Sequence, residues 1–206
     1  INWGYFRNGR NSCKKAQEVL DAKNISVDEI VLANKEKIDY FNSLSIYDHN
    51  LEILNFYNKI NLVPFGEFLP FENILKKFGL SVITNNYQSF SSGEDRKIID
   101  IKRDDFSLKI LPLICYEIIY SGKINIKKQN VDLIVNISED GWFGNSIGPY
   151  QHFNKAIYRA IEEGNYIARS ANNGISAFIG PNGRTLHKTE LNKASTIAVS
   201  YTHLTL

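Results

Sequence analysis

The sequence has no methionine and little cysteine. None of its 206 residues is methionine, and it opens on Ile1. We therefore expect this chain to be an internal piece of a longer protein. Its only two cysteines, Cys13 and Cys115, are too few for a disulfide framework, and we expect no bridge between them.

A strong net charge and long apolar segments are also absent. The 24 basic and 22 acidic residues leave a net charge of +2, so bulk charge gives no reason to expect nucleic acid as a partner. The longest nearly apolar run, 108–120, is interrupted by Lys109 and Glu117 and is too short to cross a bilayer. The sequence predicts neither a transmembrane helix nor a secretory signal.

The chain is 43% hydrophobic and 22% charged, which is ordinary for one globular domain. Apolar runs on either side of residues 48–50 predict a hairpin. Helical spacing predicts an amphipathic helix over 149–165, with Pro149 in its first turn and Gly164 at its end. The runs that predict strands are KIIDIK, FSLKILPLIC, VDLIVNIS, YIARSA and GISAFIG. Strands that alternate with helices indicate an α/β domain.

Cys115 is the most informative residue. It ends the apolar strand ILPLIC and is followed at once by Tyr116 and Glu117. A nucleophile needs a rigid strand behind it, a turn that exposes its side chain, and backbone N–H groups nearby to receive an oxyanion. Cysteine is also among the most buried residue types. Position alone therefore leaves a nucleophile and a core residue equally open.

Lys59 precedes the segment LVPFGEF, in which Pro64 and Gly66 set an unusual backbone path. A lysine aimed into a pocket favours a thiolate and neutralises an oxyanion. Taken alone, however, a lysine at the end of a strand is more often solvated. Glu67 and Glu117 are flanked by apolar residues, so each must be paired or hydrogen-bonded. A role in a site and a role in tying down a loop both stay open for these glutamates.

Two other patterns suggest chemistry that we reject. Residues 144–148 fit the G-x-S-x-G pattern of a serine nucleophile, but a polar loop precedes them and no aspartate follows Ser146. His152 could serve as a base for Cys115, yet a lone histidine is more often a structural hydrogen-bonding residue. The histidines have no metal-ligand spacing, and we expect neither a metal nor a cofactor. Trp142 and Phe143, in a glycine-flanked loop, are predicted either to form the wall of a pocket, as substrate-binding residues, or to contact a hydrophobic partner.

These motifs occur in one order: Y-N-K-x-x-L-V-P-F-G-E around Lys59, I-C-Y-E at Cys115, then N-I-S-E-D-G-W-F-G and G-P-Y-Q-H. Together they resemble the catalytic domain of the apolipoprotein N-acyltransferases, a membrane-anchored branch of the nitrilase, or carbon–nitrogen hydrolase, superfamily. The resemblance covers roughly residues 38–190. It implies an α/β fold, a nitrilase-like αββα sandwich, here truncated at its N-terminus.

The resemblance also implies the roles of the site residues. Cys115 would be the nucleophile and Lys59 the lysine of a Glu-Lys-Cys triad. Glu67 and Glu117 match further glutamates that the family needs around its site. Tyr116 matches the aromatic neighbour of the nucleophile and would contact substrate.

The implied reaction moves an acyl chain in two steps. The cysteine takes the chain from a phospholipid as a thioester, and the α-amine of a diacylglyceryl-cysteine at an apolipoprotein N-terminus then accepts it. By the same resemblance the enzyme would sit in the bacterial inner membrane, held by an N-terminal anchor that this chain lacks. Its catalytic domain would lie on the periplasmic face.

The sequence departs from the family pattern in several places. The triad glutamate should stand in a W-P-E-like stretch, which is missing between Ile1 and Lys59, so we expect it upstream of Ile1. Glu139-Asp140-Gly141 stands where we expect Asn-Asp-Ala. Residues 1–37 match poorly, as the first part of a truncated domain, and 191–206 are assigned to a tail whose VSYTHLTL resembles translated adaptor sequence. We expect the chain alone to be inactive.

Two alternatives remain open. One is a soluble nitrilase-like amidase that uses the same cysteine and lysine with water as the acceptor. The other is a non-catalytic remnant, or a module that binds a lipid surface. Several apolar segments of about 20 residues upstream would exclude the amidase, and an intact reading frame with the missing glutamate would argue against a remnant.

Overall fold

The computed structural model describes residues 39–71, 89–102 and 107–199. The chain divides into two compact units, Ile1–Asp39 and Tyr40–Leu206. The short helix suggested by residues 14–23 lies outside the described residues, as does Cys13.

The second unit contains a hairpin, a mixed sheet and one long helix. In the hairpin, β1 (Ser43–Tyr47) pairs antiparallel with β2 (Ile53–Asn58), as predicted. Within the described ranges the sheet has six strands, hydrogen-bonded in chain order: β3 (Ile99–Lys102), β4 (Ser107–Ile114), β5 (Leu133–Glu139), β6 (Tyr166–Asn172), β7 (Ala177–Ile179) and β8 (Thr185–Lys188).

The centre of the sheet is parallel, because β4 pairs parallel with β5 and β5 with β6. Parallel neighbours need a crossover connection, and the helix α1 (Gly148–Glu163) supplies it between β5 and β6. Short 3₁₀ turns, Cys115–Ile119 and Gly141–Phe143, follow β4 and β5. Functional loops therefore leave the same, carboxyl-terminal edge of the parallel strands.

Both faces of the central strands are covered, which explains their nearly continuous apolar runs. Alternate residues of β4 point to opposite faces. One face packs against α1 through buried residues of both elements: Leu111, Leu113, Ile134, Ile167, Phe153, Ala156 and Ala160. The other face packs against the hairpin: Ile110, Ile114, Leu44 and Tyr57. The layers are helix, sheet and hairpin, and the predicted α/β class is confirmed.

The ends of α1 match the sequence signals. Pro149 lies in the first turn, where its missing N–H costs nothing. Gly164 ends the helix in the left-handed conformation, with φ 64°, and donates its N–H to the carbonyls of Ala160 and Ile161. Neither α1 nor any other helix in the described part of the chain is long and apolar enough to span a bilayer.

The packing between sheet and helix predicts a large difference between two leucines. Leu111 is buried in that layer, whereas Leu186 is exposed on β8. We expect Leu111→Ala to lower the free energy of unfolding by about 2–5 kcal/mol, because it leaves a cavity. Leu186→Ala should change it by about 0.5 kcal/mol or less. Thermal or denaturant unfolding checks this, and equal losses in the two variants would contradict the described core.

Candidate active site

Cys115 stands on a sharp elbow at the end of β4. The strand ends at Ile114, and the 3₁₀ turn begins at Cys115 itself, which has φ +51°. A non-glycine residue in this left-handed region costs about 1–3 kcal/mol and persists only where its surroundings fix it. The side chain is half-buried, the thiol is free, and Sγ lies 4.0 Å from the carbonyl oxygen of Glu139. This is the strand–turn–helix geometry that a nucleophile requires.

The carboxylate of Glu117 ties this elbow to the segment after Lys59. Glu117 is fully buried. Its Oε2 accepts the backbone N–H of Ile114 at 2.8 Å, while its Oε1 accepts the N–H groups of Ile60 and Asn61 at 3.1 and 3.2 Å. One side chain therefore joins the residue before the thiol to the residues directly after the lysine.

Two further donors, neither of them predicted from the sequence, bind the carboxylate of Glu117. The Tyr57 hydroxyl donates to Oε1 at 2.8 Å, and Arg96 donates to the same oxygen at 3.1 Å. Burial and the neighbouring Glu117 raise the pKa of Tyr57 far above its ordinary value, so the hydroxyl keeps its proton. Tyr57 stands two residues before Lys59, a strand spacing that could have identified it. Arg96 follows an irregular segment and carries no such signal.

Lys59 is buried, with only 1% of its surface exposed. The solvated position favoured by its place in the sequence is therefore wrong. Its Nζ donates to both carboxylate oxygens of Glu67, at 2.8 and 2.7 Å. A buried ammonium needs such a partner, because an unpaired charge in the interior is costly.

Glu67 also ties down the loop that carries it. Its Oε2 accepts the backbone N–H of Val63 at 2.8 Å, and its Oε1 accepts the side-chain amide of Asn42 at 2.8 Å. The turn between Val63 and Glu67 contains Phe65 at φ 62°, whose N–H bonds the carbonyl of Phe68 at 2.8 Å. Glu67 therefore contacts both the Lys59 ammonium and the backbone of its own loop.

A second polar cluster lies behind the elbow, on the face that α1 covers. Asp140 accepts hydrogen bonds from Ser138 Oγ at 2.7 Å, His152 Nδ1 at 2.8 Å and Arg169 at 2.7 Å. Burial by itself raises the pKa of Asp140, but the His152 hydrogen bond and the Arg169 charge outweigh it and hold that pKa below its ordinary value. His152 thus directs Nδ1 at a carboxylate, as expected of a structural histidine.

The three aromatic residues predicted to contact substrate differ in placement. Tyr116 and Phe143 lie against the ring of His152, with centroid distances of 6.4 and 5.6 Å. Both rings therefore share His152 as a neighbour. Trp142 is 78% exposed in its 3₁₀ turn, so its ring faces solvent.

The G-x-S-x-G segment does not have the geometry of a serine nucleophile. Ser146 follows a 3₁₀ turn instead of a strand, and its Oγ accepts the N–H of Gly148 at 3.0 Å where α1 begins. No group of three or more histidine, cysteine, aspartate or glutamate side chains in the described ranges could hold a metal ion.

The burial of the Lys59–Glu67 pair predicts a large effect of removing one charge. Glu67→Gln should lower the free energy of unfolding by about 3–5 kcal/mol, because it leaves the ammonium without a counter-charge. Glu190→Gln is the matched control, since Glu190 pairs with Lys193 on the exposed surface, and it should cost less than about 1 kcal/mol. Unfolding measurements compare them, and a Glu67→Gln variant as stable as the control would contradict the described pair.

Comparison with curated proteins finds apolipoprotein N-acyltransferases. The chain is 44% identical over 146 residues to the one from Bradyrhizobium diazoefficiens, an alignment that covers 71% of this chain and 27% of that protein. It is also 44% identical over 144 residues to the one from Rhodopseudomonas palustris, covering 70% and 26%. The chain thus spans about a quarter of the length of these relatives.

Among solved structures, an amidase from Nesterenkonia sp. superposes with a TM-score of 0.48 at 18% sequence identity, over 73% of this chain and 51% of that one. The sequence profile described as Carbon-nitrogen hydrolase matches residues 8–205. This match takes in both strand-end segments that carry Lys59 and Cys115, and the predicted superfamily is confirmed. The chain belongs to the carbon-nitrogen hydrolase family.

Proposed function

We propose that this chain forms the catalytic part of an apolipoprotein N-acyltransferase. One observation carries the proposal: a single buried carboxylate, Glu117, ties the elbow of Cys115 to the backbone that follows the buried Lys59. Such a tie supports a thiol and an ammonium acting on one substrate group. The relatives named apolipoprotein N-acyltransferase favour acyl transfer over the hydrolysis of an amide. We assign this catalytic part to residues 38–190.

In the first step, the Cys115 thiolate attacks the acyl ester carbonyl of a phospholipid. The S–C bond forms, the ester C–O bond breaks, and the lysophospholipid leaves as an alcohol after it takes up the thiol proton. The glutamate that relays this proton is the triad base that we place upstream of Ile1. The Lys59 ammonium stabilises the thiolate and the developing oxyanion. An oxyanion donor of this kind lowers the activation free energy by about 3–4 kcal/mol.

In the second step, the α-amine of the diacylglyceryl-cysteine attacks the thioester. The C–N bond forms, the C–S bond breaks, and the amine proton returns to the sulfur through the same base. A thioester suits this step because it is a reactive acyl carrier. Glu67 serves both steps by holding the Lys59 ammonium in place.

Apolar side chains beside the elbow support a lipid substrate. Tyr116 and Phe143 each lie against the His152 ring, and Trp142 and Ile147 expose large apolar side chains. We assign Tyr116 and Phe143 to the acyl chain near the sulfur, and Trp142 to the more distant part of the lipid.

We place the enzyme in the bacterial inner membrane, with this domain on the periplasmic face. The support is the resemblance to the membrane-anchored apolipoprotein N-acyltransferases.

A covalent acyl adduct on Cys115 is the expected sign of this function. The protein encoded by the full reading frame that contains this chain should gain one acyl mass after incubation with phospholipid vesicles, measured by intact-protein mass spectrometry. A diacylglyceryl lipopeptide should then remove it. Cys115→Ala should form no adduct, because it lacks the nucleophile, whereas Cys13→Ala should form it normally.

An adduct that persists in Cys115→Ala would refute the assigned nucleophile. Release of the acyl group to water as readily as to the lipopeptide would refute acyl transfer and favour a hydrolase.

The chain by itself should be inactive. We assign the base and the anchor to sequence outside residues 1–206, so we expect no transfer from phospholipid to a lipopeptide under conditions where the full-length protein turns over. A chromatographic assay of the acylated lipopeptide checks this. Turnover by the 206-residue chain would show that the base lies within it.

A further inference from the structure

Two strongly polar residues occupy central strands where apolar residues are the rule, and the proposed mechanism uses neither. Asn136 lies in β5 and Arg169 in β6, with 0% and 3% of their surfaces exposed. Burying such groups is unfavourable unless every polar atom finds a partner. Their placement therefore needs an explanation beyond packing.

The register of the sheet places both residues in one row with Leu113, two residues before Cys115. Asn136 pairs with Leu113 of β4 on one side and with Arg169 on the other. Ile134 and Ile167, two residues earlier on their strands, belong to the cluster that α1 covers. Since side chains two apart on a strand share a face, Asn136 and Arg169 also face α1.

Arg169 determines which way the Asn136 amide points. An arginine NH group of Arg169 donates to Oδ1 of Asn136, and a guanidinium can only donate. The Nδ2 group must therefore face the other way. There it donates to the carbonyl of Leu113 at 3.2 Å and, more weakly, to the carbonyl of Cys115 at 3.5 Å.

The second polar cluster holds Arg169 in turn. Its guanidinium donates to Asp140 Oδ2 at 2.7 Å and to the carbonyl of Ile175 at 3.3 Å. Asp140 is itself fixed by Ser138 and His152. A continuous chain of hydrogen bonds thus runs from α1 across two strands to the backbone on either side of Ile114.

We propose that Asn136 is a positioning residue for the nucleophile, an inference that rests on the proposed acyl transfer. Cys115 keeps φ +51° only while its surroundings restrain it. Glu117 holds the elbow through the N–H of Ile114, and Asn136 holds it through the carbonyls of Leu113 and Cys115. Glu117 and Asn136 thus restrain the backbone of residues 113–115 through hydrogen bonds from two different side chains.

The hydrogen bond from Asn136 to the Cys115 carbonyl also orients the backbone N–H of Tyr116. In a trans peptide the C=O and the next N–H point in opposite directions, and the described residues contain no cis bond. Holding the Cys115 carbonyl towards Asn136 therefore directs the N–H of Tyr116 away from it. Loss of this hydrogen bond should misplace both the sulfur of Cys115 and the N–H of Tyr116.

Asn136→Asp isolates the donor function. The carboxylate still accepts from Arg169 but offers no N–H to the two carbonyls. In the full-length protein we expect kcat for acyl transfer to fall between about 10- and 100-fold with KM little changed, since a small misplacement costs this much. The rate at which iodoacetamide alkylates Cys115 should also change severalfold, because the sulfur has moved.

Asn165→Asp is the matched control. Asn165 donates its side-chain amide to the carbonyl of Val131 at 2.7 Å, at the opposite end of β5 and β6. Its substitution makes the same chemical change away from the elbow, so kcat and the alkylation rate should stay near the wild-type values.

A second pair of variants distinguishes a loss of positioning from a loss of folding. Arg169→Lys removes the guanidinium that orients Asn136 and should also lower kcat. Arg159→Lys changes a different buried arginine, which lies on α1, and should leave kcat unchanged. Wild-type kcat and alkylation rate in folded Asn136→Asp, or equal losses in the test and control variants, would overturn the inference. Iodoacetamide needs no acyl substrate, so absent acyl transfer in the wild type would refute the proposed function separately.

Discussion

The arrangement depends on one buried carboxylate. Glu117 accepts backbone N–H groups from both sides of the site and side-chain donors from Tyr57 and Arg96. A carboxylate without solvent is stable only when it is saturated in this way. Because its donors come from β2, the segment before β3 and the end of β4, the hairpin and the sheet must be assembled before the site exists.

The fold supplies two independent polar networks, one on each side of the elbow. Glu117 links it to the hairpin layer, whereas Asn136 and Arg169 link it to the helix layer. Apolar packing alone would leave a strained residue such as Cys115 free to relax, since such contacts are not directional. Directional hydrogen bonds from both layers explain how a left-handed cysteine can be kept at the end of a parallel strand.

Periodicity predicted the hairpin, the central strands and α1 because each depends on local patterning and on end signals such as Pro149 and Gly164. The burial of Lys59 could not be predicted from its position, because it depends on the loop that returns Glu67 to it. Arg96 and Arg169 acquire their roles only through distant partners. Asn136 did leave a signal, a lone amide within an apolar run, which became meaningful once the register was known.

The central claim is that Cys115 and Lys59 act on the same substrate group. The most direct test is an experimental structure of the full-length protein after iodoacetamide has alkylated Cys115. The claim predicts that the carbonyl oxygen of the adduct lies about 3 Å from Lys59 Nζ, within hydrogen-bond distance. An adduct whose carbonyl points into solvent, while the ammonium remains bonded to Glu67 alone, would contradict it.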